Sequence, residues 1–401
     1  MRANWRECAL GDLARIKHGY AFKGEFFGST GTHVVLTPGN FHEAGGFKEK
    51  FDKAKWYSGT VPEEYVLDAG DLIVAMTEQG EGLLGSSAVV PRPGFYLHNQ
   101  RLGLVTPLSS AAADRRFLYY LFNSQSVRQQ IRASANGAKI RHTSPTRIYE
   151  VKVRVPNIAT QRRIAAILSA YDDLIENNTR RIAILEEMAR RIYEEWFVRF
   201  RFPGHEHTRM VDSPLGPVPE GWDVVRLDDV LVLQRGFDLP KQDRTDGPFP
   251  IISATGGSAT HHECRVKGPG VVTGRSGSLG TVTYVESDFW PLNTTLWIKK
   301  FVVGSPLFSF YLLNTIDLAG FNSGAAVPTL NRNDVHGLPV LRPTPDVLAQ
   351  FDEVAPPMMK LKRRLELMSE NLLSTRDLLL PKLISGELDV SDLPEPQVAV
   401  A

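Results

Sequence analysis

Apolar residues recur in steps of three and four through residues 164–196. The apolar seam consists of Ile164, Leu168, Tyr171, Ile175, Ile182, Leu185, Ala189, Ile192 and Trp196, and Asn178 interrupts it as a polar member. This spacing predicts a long helix whose stripe packs against a partner helix, as in a coiled coil. A second stripe of similar length consists of Met358, Leu361, Leu365, Met368, Leu372, Thr375 and Leu379. Pro356 and Pro357 suit the start of that second helix, where no backbone N–H is needed.

The β-like segments before and after the first helix repeat each other in the same order. Trp5, Leu10, Asp12 and Gly19 match Trp222, Leu227, Asp229 and Gly236 at a constant offset of 217. GDLIVAMTEQGEGLLGSSAVV then parallels GVVTGRSGSLGTVTYV, each with two β-like runs around a Gly-rich turn. LHNQRL parallels PLNTTL, which aligns Asn99 with Asn293 and Leu102 with Leu296, and FLYYLFN parallels FSFYLLN. Several matched segments in one order indicate an internal duplication.

The predicted fold class is α+β: two similar β-rich domains separated by two long helices that form an antiparallel coiled coil. Each stripe needs burial, and the other helix is its simplest partner. The alternative is that each helix folds back onto its own domain as ordinary core. The predicted boundaries are 1–156 for the first domain, 157–200 for the central helix, 201–221 for a linker, 222–343 for the second domain, 344–386 for the C-terminal helix and 387–401 for a disordered acidic tail.

The bulk composition narrows the class of protein. The chain has 401 residues, enough for two or three domains, and its apolar runs are too short to span a membrane. The N-terminus lacks the apolar core of a signal peptide, which predicts a cytoplasmic protein. The net charge is +1, but residues 128–163 carry nine Lys or Arg against the single acid Glu150. A local basic surface of this kind is typical of phosphate contacts.

Catalytic motifs are missing from the sequence. It contains neither a phosphate-binding P-loop nor a dinucleotide-binding glycine motif between a strand and a helix. GRSGSLG, residues 274–280, fits a tight β-turn better than a nucleotide cradle, because β-like runs flank it. HHEC, residues 261–264, has metal-ligand types but no second cluster at zinc spacing. Cys8 and Cys264 are the only cysteines. The sequence therefore predicts a chain with no catalytic and no metal site.

Four segments together resemble one family. Trp5 and the following LGDLARIKHGYAF, then GDLIVAM, NIATQRRIAAILSAYDDLIENN and the terminal LLLPKLISGELDV, are similar to the specificity (S) subunits of Type I restriction–modification enzymes. The resemblance extends from Trp5 to about Val390. It implies two target-recognition domains that each recognise one half of a split, asymmetric site in double-stranded DNA. The helices would set the spacer and dock the partner subunits.

The resemblance also implies where catalysis lies in such a phage-defence system. DNA methyltransferase (M) subunits, two of them, and restriction (R) subunits would carry the activities. S-adenosylmethionine, ATP and Mg²⁺ would belong to those partners, and this chain would bind no cofactor of its own.

Exposed turns between β-like runs are the best candidates for DNA contacts, because loops on a rigid scaffold present polar side chains to base edges. The DNA-binding candidates in the first domain are Thr77, Gln79, Glu81, Gln100, Arg101, Lys139 and Arg141. Those in the second domain are Arg275, Ser276, Ser278, Thr294, Thr295, Asn331 and Arg332. Arg275 is the strongest, because its flanking glycines let the backbone approach the duplex. The alternative for each is a solvated loop residue.

Two other functions are compatible with the same sequence. One is a coiled-coil assembly scaffold with no nucleic-acid role, which would show no salt-dependent DNA binding. The other is a stand-alone DNA-modifying enzyme with an unrecognised site, which would be active without partners.

Overall fold

The computed structural model describes residues 5–324 and 327–394. The chain forms two compact units: unit 1 takes the residues up to Asn177 and those from Met368 onward, and unit 2 takes Asn178–Leu367. Both boundaries fall inside long helices, so each unit holds one β-rich region and a segment of both helices.

Unit 1 begins with short strands and three short helices. Its strands are β1 (Trp5–Ala9), β2 (Ala14–His18), β3 (Phe27–Gly28), β4 (His33–Val35), β5 (Trp56–Tyr57), β6 (Val66–Leu67), β7 (Leu72–Ala75), β8 (Thr77–Glu78), β9 (Ser87–Val89), β10 (Tyr96–Leu97), β11 (Leu102–Pro107), β12 (Arg141–His142) and β13 (Lys152–Pro156). Its helices are α1 (Arg115–Asn123), α2 (Gln125–Ala133), α3 (Pro145–Tyr149) and the start of α4 (Ile158–Tyr193).

Unit 2 repeats this arrangement. Its strands are β14 (Met210–Val211), β15 (Val218–Pro219), β16 (Asp223–Arg226), β17 (Leu231–Arg235), β18 (Phe249–Ser253), β19 (Gly256–His261), β20 (Gly270–Gly274), β21 (Val282–Val285), β22 (Trp290–Pro291), β23 (Thr295–Phe301) and β24 (Pro339–Arg342). Its helices are α5 (Pro306–Asn314), α6 (Arg332–His336) and the start of α7 (Pro345–Ile384).

The sheets confirm the internal duplication. An antiparallel sheet ordered β2-β11-β7-β9 in unit 1 corresponds to β17-β23-β20-β21 in unit 2. The antiparallel pair β1–β13 corresponds to β16–β24, and the parallel pair β4–β10 corresponds to β18–β22. In both units a helix follows the long strand of the sheet, α1 in the first and α5 in the second.

Gly19 and Gly236 occupy equivalent positions in the two units, and each lies very close to the backbone of a neighbouring segment. A Cβ on Gly19 would lie 2.1 Å from the carbonyl oxygen of Asn99, and one on Gly236 would lie 2.2 Å from that of Leu292. Either contact is far inside van der Waals distance, so only glycine fits. The two close approaches therefore match Asn99 with Leu292, one residue away from the alignment with Asn293 that the sequence predicted.

Backbone bonds give the same one-residue correction for Leu102. The N–H of Gly19 donates to Leu102 O at 3.3 Å, and that of Gly236 donates to Thr295 O at 3.0 Å. Leu102 thus corresponds to Thr295 and not to Leu296. The turns that precede these residues have similar composition, which is why the sequence alone placed the match one residue too late.

The first long helix, α4, forms because its sequence contains no glycine or proline over 36 residues. The side chain of Asn157 accepts a hydrogen bond from the N–H of Thr160 at 2.9 Å, which caps the first turn. The helix passes into a π-helical turn at Glu194–Val198. Phe200 then has φ +59, and the chain leaves the helix there.

In unit 1 the start of α4 packs on the end of α7. Ile164 and Leu168 share one buried core with Leu383 and Ile384, and the same core includes residues of the sheet and of α1. Arg376 Nη1 lies 2.6 Å from Asp172 Oδ1. Low residue numbers of α4 therefore face high residue numbers of α7, so the two segments run antiparallel.

In unit 2 the end of α4 packs on the start of α7. Ala189 and Tyr193 share a buried core with Phe351 and Met359. Lys362 Nζ lies 2.6 Å from Glu186 Oε1. The segments again run antiparallel. In both units the helices contribute to the core of the β-rich region as well as to each other, so the two predicted alternatives for burying the stripes are combined.

The seam of α7 differs from the predicted one. Leu361 and Met368 are exposed, whereas Lys362 and Arg376 form ion pairs with α4. The predicted stripe is retained at Met358, Leu365 and Leu379, which are buried or pack on the two cores, and ion pairs to α4 lie beside its exposed positions. Pro356 and Pro357 lie inside α7 and not at its start, which is a second correction: the helix begins at Pro345.

The segment predicted as a disordered tail begins with ordered residues. Val390 is buried in the core of unit 1. An apolar side chain in that core stabilises the chain end in a fixed position. Residues 395–401 lie outside the described residues.

Candidate nucleic-acid interface

The first cluster of polar loops lies at the end of β7. Met76 follows this strand and joins two turns to it: its N–H donates to Arg101 O, and its carbonyl accepts from the N–H of Thr143, both at 2.9 Å. The turn at 99–101 and the hairpin at 136–142 therefore flank β8. Chain segments that are distant in sequence meet here because all of them are bonded to one residue.

The seven candidates of the first domain meet in this cluster, called patch 1: Thr77, Gln79, Glu81, Gln100, Arg101, Lys139 and Arg141. β8 pairs with β12, which brings Glu78 opposite Arg141. Arg141 Nη2 lies 3.8 Å from Glu81 Oε1. Lys139 is exposed in the turn between Gly137 and Ile140. Patch 1 combines basic, acidic and amide side chains on one surface.

Thr77 is a wrong candidate for base contact. It is buried, and its hydroxyl lies 3.1 Å from Nδ1 of His142, so it is engaged inside the protein. His142 itself is exposed beside it and was missed. A pairing of β8 with β12 could not be predicted from the sequence, because β12 has only two residues.

His98 lies in the protein interior next to the turn at 99–101 and stabilises it. Its side chain is fully buried, and Nε2 lies 3.0 Å from Leu102 O, so this nitrogen carries the hydrogen and donates it. Burial lowers the pKa of His98 to about 4. The ring is therefore neutral at pH 7 and holds the turn that carries Gln100 and Arg101.

The second cluster lies at the end of β20 and has the same bonding. The N–H of Arg275 donates to Thr294 O, and its carbonyl accepts from the N–H of Leu330, both at 2.8 Å. Arg275 thus occupies the position of Met76. The structure brings six candidates together here as patch 2: Arg275, Ser276, Ser278, Thr294, Asn331 and Arg332. Asn331 caps α6 with its side chain, and Arg332 is exposed in the first turn of that helix.

Arg275 differs from its counterpart in exposure. Met76 is 1% exposed, whereas Arg275 is partly exposed. Arg275 Nη1 donates to Asn293 O at 2.9 Å. This bond uses one donor of the guanidinium and leaves it further N–H groups for a ligand.

A polar group beside Arg275 was missed in the sequence. The side chain of Asn293 donates to Asp238, and Arg235 Nη2 donates to Asp238 Oδ1 at 3.1 Å. Asp238 follows the Gly236–Phe237 pair of the repeat, so the matched glycines were the signal that could have found it. The group connects the end of β17 to patch 2.

Thr295 is the second wrong candidate. It is fully buried, and its hydroxyl donates to Leu292 O at 2.7 Å. The physical reason is the corrected alignment: Thr295 corresponds to Leu102, which is also fully buried. A residue at this position points into the protein in both units.

Among residues 5–324 and 327–394, no three His, Cys, Asp or Glu side chains are close enough to hold a metal ion. Over the same ranges, no helix combines the length and apolarity needed to cross a membrane.

The fold and the loop clusters define a class: duplicated proteins in which each of two related units displays one cluster of polar loops. The family described as "Type I restriction modification DNA specificity domain" matches residues 2–187. The Type I restriction enzyme MjaIX specificity subunit of Methanocaldococcus jannaschii is 24% identical over 77% of this chain and 76% of its own length. The Type I restriction enzyme EcoBI specificity subunit of Escherichia coli is 23% identical over 61% of this chain and 51% of its own length.

One solved structure has the same fold over nearly the whole chain. The S subunit of a Type I restriction–modification system from M. genitalium covers 96% of this chain and 96% of its own, with a TM-score of 0.65 and 16% identity. The chain is thus similar to Type I restriction–modification specificity subunits: residues 2–187 match the family model, and the likeness to the M. jannaschii subunit extends over most of the chain. In this family the catalytic activities lie in other subunits.

Proposed function

We propose that this chain selects the DNA sequence for a Type I restriction–modification complex, with patch 1 recognising one half of a bipartite, asymmetric site and patch 2 the other. One observation carries the proposal. Both units present polar loops around an equivalent residue, Met76 in one and Arg275 in the other, with the same pair of backbone bonds. A duplicated scaffold with different side chains suits two half-sites of different sequence.

The chemistry of the patches supports DNA as the ligand. Arg141, Arg275 and Gln100 have the donor and acceptor groups that pair with base edges in the major groove. The basic segment 128–163 supports additional phosphate contacts in unit 1. Unit 1 is therefore proposed to gain more of its affinity from phosphates than unit 2 does.

Subunits of this family bind DNA and assemble with M and R subunits. For this chain we propose two M subunits docked on the helices, with R subunits joined through them. S-adenosylmethionine, ATP and Mg²⁺ would be bound by those partners in the cytoplasm. The helices α4 and α7 are proposed to set the number of base pairs between the half-sites.

Exchange of recognition domains tests the proposal directly. Residues 1–155 would be replaced by the corresponding domain of another S subunit, and the hybrid would be expressed with its M subunits. Sequencing of the methylated DNA should show one half-site changed and the other retained. A change in both half-sites would overturn the assignment of one unit to each half-site.

Binding titrations separate this function from the two alternatives. The intact chain should bind DNA with an affinity that falls steeply with salt, because contacts to phosphates release counterions. A coiled-coil scaffold would show no such binding. A stand-alone enzyme would modify DNA without M or R subunits when given Mg²⁺ or S-adenosylmethionine.

A further inference from the structure

A buried carboxylate lies directly beneath patch 1. Glu78 ends β8 and is 2% exposed. Its Oε2 accepts hydrogen bonds from three consecutive backbone N–H groups: Gly82 at 3.2 Å, Leu83 at 3.0 Å and Leu84 at 2.8 Å. Burial of a charge is costly without such partners, and converging N–H groups are a favourable environment for an anion. Glu78 therefore holds the end of the loop 79–84 close to the end of β8, where the loop begins.

The carbonyl side of the same loop is held by a cation. Arg128, on α2, donates through its two terminal nitrogens to Gly82 O and to Glu43 O. Gly82 has φ +120, and a Cβ there would lie 2.8 Å from the side chain of Glu43. Gly82 is thus fixed through both its N–H and its carbonyl. The positive φ also disfavours a residue with a Cβ at this position.

Only the outer part of the loop remains available to a ligand. Gln79 and Glu81 are exposed, whereas Leu84 is fully buried and the N–H of Gly85 donates to Ala75 O at 2.9 Å. The loop leaves and re-enters the sheet at adjacent positions. The backbone that carries these exposed side chains is therefore held by the buried bonds of Glu78, and Glu81 in addition lies 3.8 Å from Arg141.

Unit 2 holds its corresponding loop by a different means. In GRSGSLG, residues 274–280, there is no acidic residue. The N–H of Gly277 donates to Pro328 O at 2.9 Å, and Thr273 Oγ1 donates to Thr281 O at 3.0 Å. A change at Glu78 therefore has no counterpart in unit 2, and its effect should be confined to one half-site.

We propose that Glu78 is a positioning residue for sequence recognition: it acts through loop 79–84, which presents Gln79 and Glu81 to the bases, and does not contact DNA itself. The proposal rests on the proposed function of patch 1. It predicts that loss of the carboxylate relaxes base preference without removing phosphate contacts.

Two substitutions in the intact chain test the role. Glu78→Ala removes all three acceptor bonds, and Glu78→Gln keeps the size and one acceptor oxygen but loses the charge. Asp71→Asn is the matched control, because Asp71 caps a turn at the other end of β7 by accepting from the N–H of Asp68 at 2.9 Å. Each variant would be used to select bound DNA from a library randomised in both half-sites.

Glu78→Ala should lose about fivefold or more in discrimination at base positions of one half-site, the lower limit of what one base contact contributes. Glu78→Gln should lie between it and the wild type. The other half-site and the salt slope should be unchanged, as should all preferences of Asp71→Asn. Retention of the other half-site shows that unit 2 is folded in the same molecule, and the unchanged salt slope shows that unit 1 retains its phosphate contacts.

Two results would overturn the inference: wild-type preferences in both Glu78 variants, or equal losses in both half-sites. Hydrogen–deuterium exchange adds a readout that needs no DNA. Amides of residues 82–84 should exchange faster in Glu78→Gln than in Asp71→Asn. If the wild-type chain selects no DNA sequence but these amides exchange faster in Glu78→Gln, the proposed function is refuted and the anchoring of the loop by Glu78 is retained. If the exchange of these amides is unchanged in Glu78→Gln, the anchoring itself is refuted.

Discussion

A three-residue polar group in unit 1 gives the most quantitative prediction. Tyr120 donates its hydroxyl hydrogen to Asp172 Oδ2 at 2.6 Å, and Arg376 Nη1 donates to Asp172 Oδ1 at 2.6 Å. Tyr120 belongs to α1, Asp172 to α4 and Arg376 to α7. The carboxylate of Asp172 thus joins the β-rich region of unit 1 to both helix segments.

The cost of breaking these bonds follows from their burial. Tyr120 is 4% exposed, and loss of its bond to a charged acceptor through Tyr120→Phe should cost ~1.5–3 kcal/mol of local stability. Asp172→Ala also removes the partner of Arg376 Nη1, while Nε and Nη2 of Arg376 still donate to Asp377 Oδ1 at 3.0 and 2.7 Å. The side chains of Asp172 and Arg376 are 28% and 18% exposed, so water compensates in part. We expect ~2–4 kcal/mol, below the ~3–5 kcal/mol of a fully buried pair.

The double variant tests the coupling. Because both bonds of Tyr120 and Arg376 depend on one carboxylate, Tyr120→Phe should cost little once Asp172 is alanine. The expected coupling energy is ~1–2 kcal/mol, within the range for residues in contact. Native-state hydrogen exchange of the α1 amides measures the opening free energy of this part of unit 1.

Tyr119→Phe serves as the control for this cycle. Tyr119 is the neighbouring tyrosine of α1, and among the described residues its hydroxyl makes no hydrogen bond to Asp172. Its loss should leave the coupling unchanged. Additive effects of Tyr120→Phe and Asp172→Ala, within ~0.5 kcal/mol, would refute the idea that Asp172 joins the three elements.

The remaining predictions concern recognition, spacing and pH. Arg275→Ala should reduce base discrimination by ~1–3 kcal/mol, whereas Lys139→Ala should weaken all sequences about equally and flatten the salt slope; identical behaviour in titrations at several salt concentrations would contradict the base contact. Insertion of one heptad after Ile182 and at the facing level of α7 adds ~10 Å of helix. At ~3.4 Å per base pair that is about three base pairs, with a duplex rotation of roughly 100°. Selection from random-spacer libraries should show a longer spacer or a large loss of affinity, and tight binding to the original spacer would exclude a ruler. Burial lowers the pKa of His98 to about 4 in the folded chain, whereas the unfolded chain has the ordinary histidine pKa. Between these two pKa values the unfolded chain binds one proton more than the folded chain, so the free energy of unfolding should fall as the pH drops through this window. His98→Gln should make thermal unfolding less dependent on pH there, and an unchanged profile would contradict the buried neutral ring.

Local sequence determined the elements whose formation depends on periodicity and repetition. The three- and four-residue spacing of Ile164, Leu168 and Ala189 predicted α4, because side chains at these intervals share one helix face. The matched glycines Gly19 and Gly236 indicated the duplication, because a close backbone approach excludes a Cβ at both positions. The fold class therefore followed from the chain alone.

Only the tertiary structure decided which loop residues are buried and which long-range hydrogen bonds they make. Thr295 is a polar loop residue by sequence, but the bond from Gly236 places it at the buried position of Leu102. Glu78 is one acid among several in a turn, and only the folded loop brings three N–H groups onto its carboxylate. Such placements depend on contacts between residues far apart in the chain, and a one-residue shift in register reverses which side chain is buried.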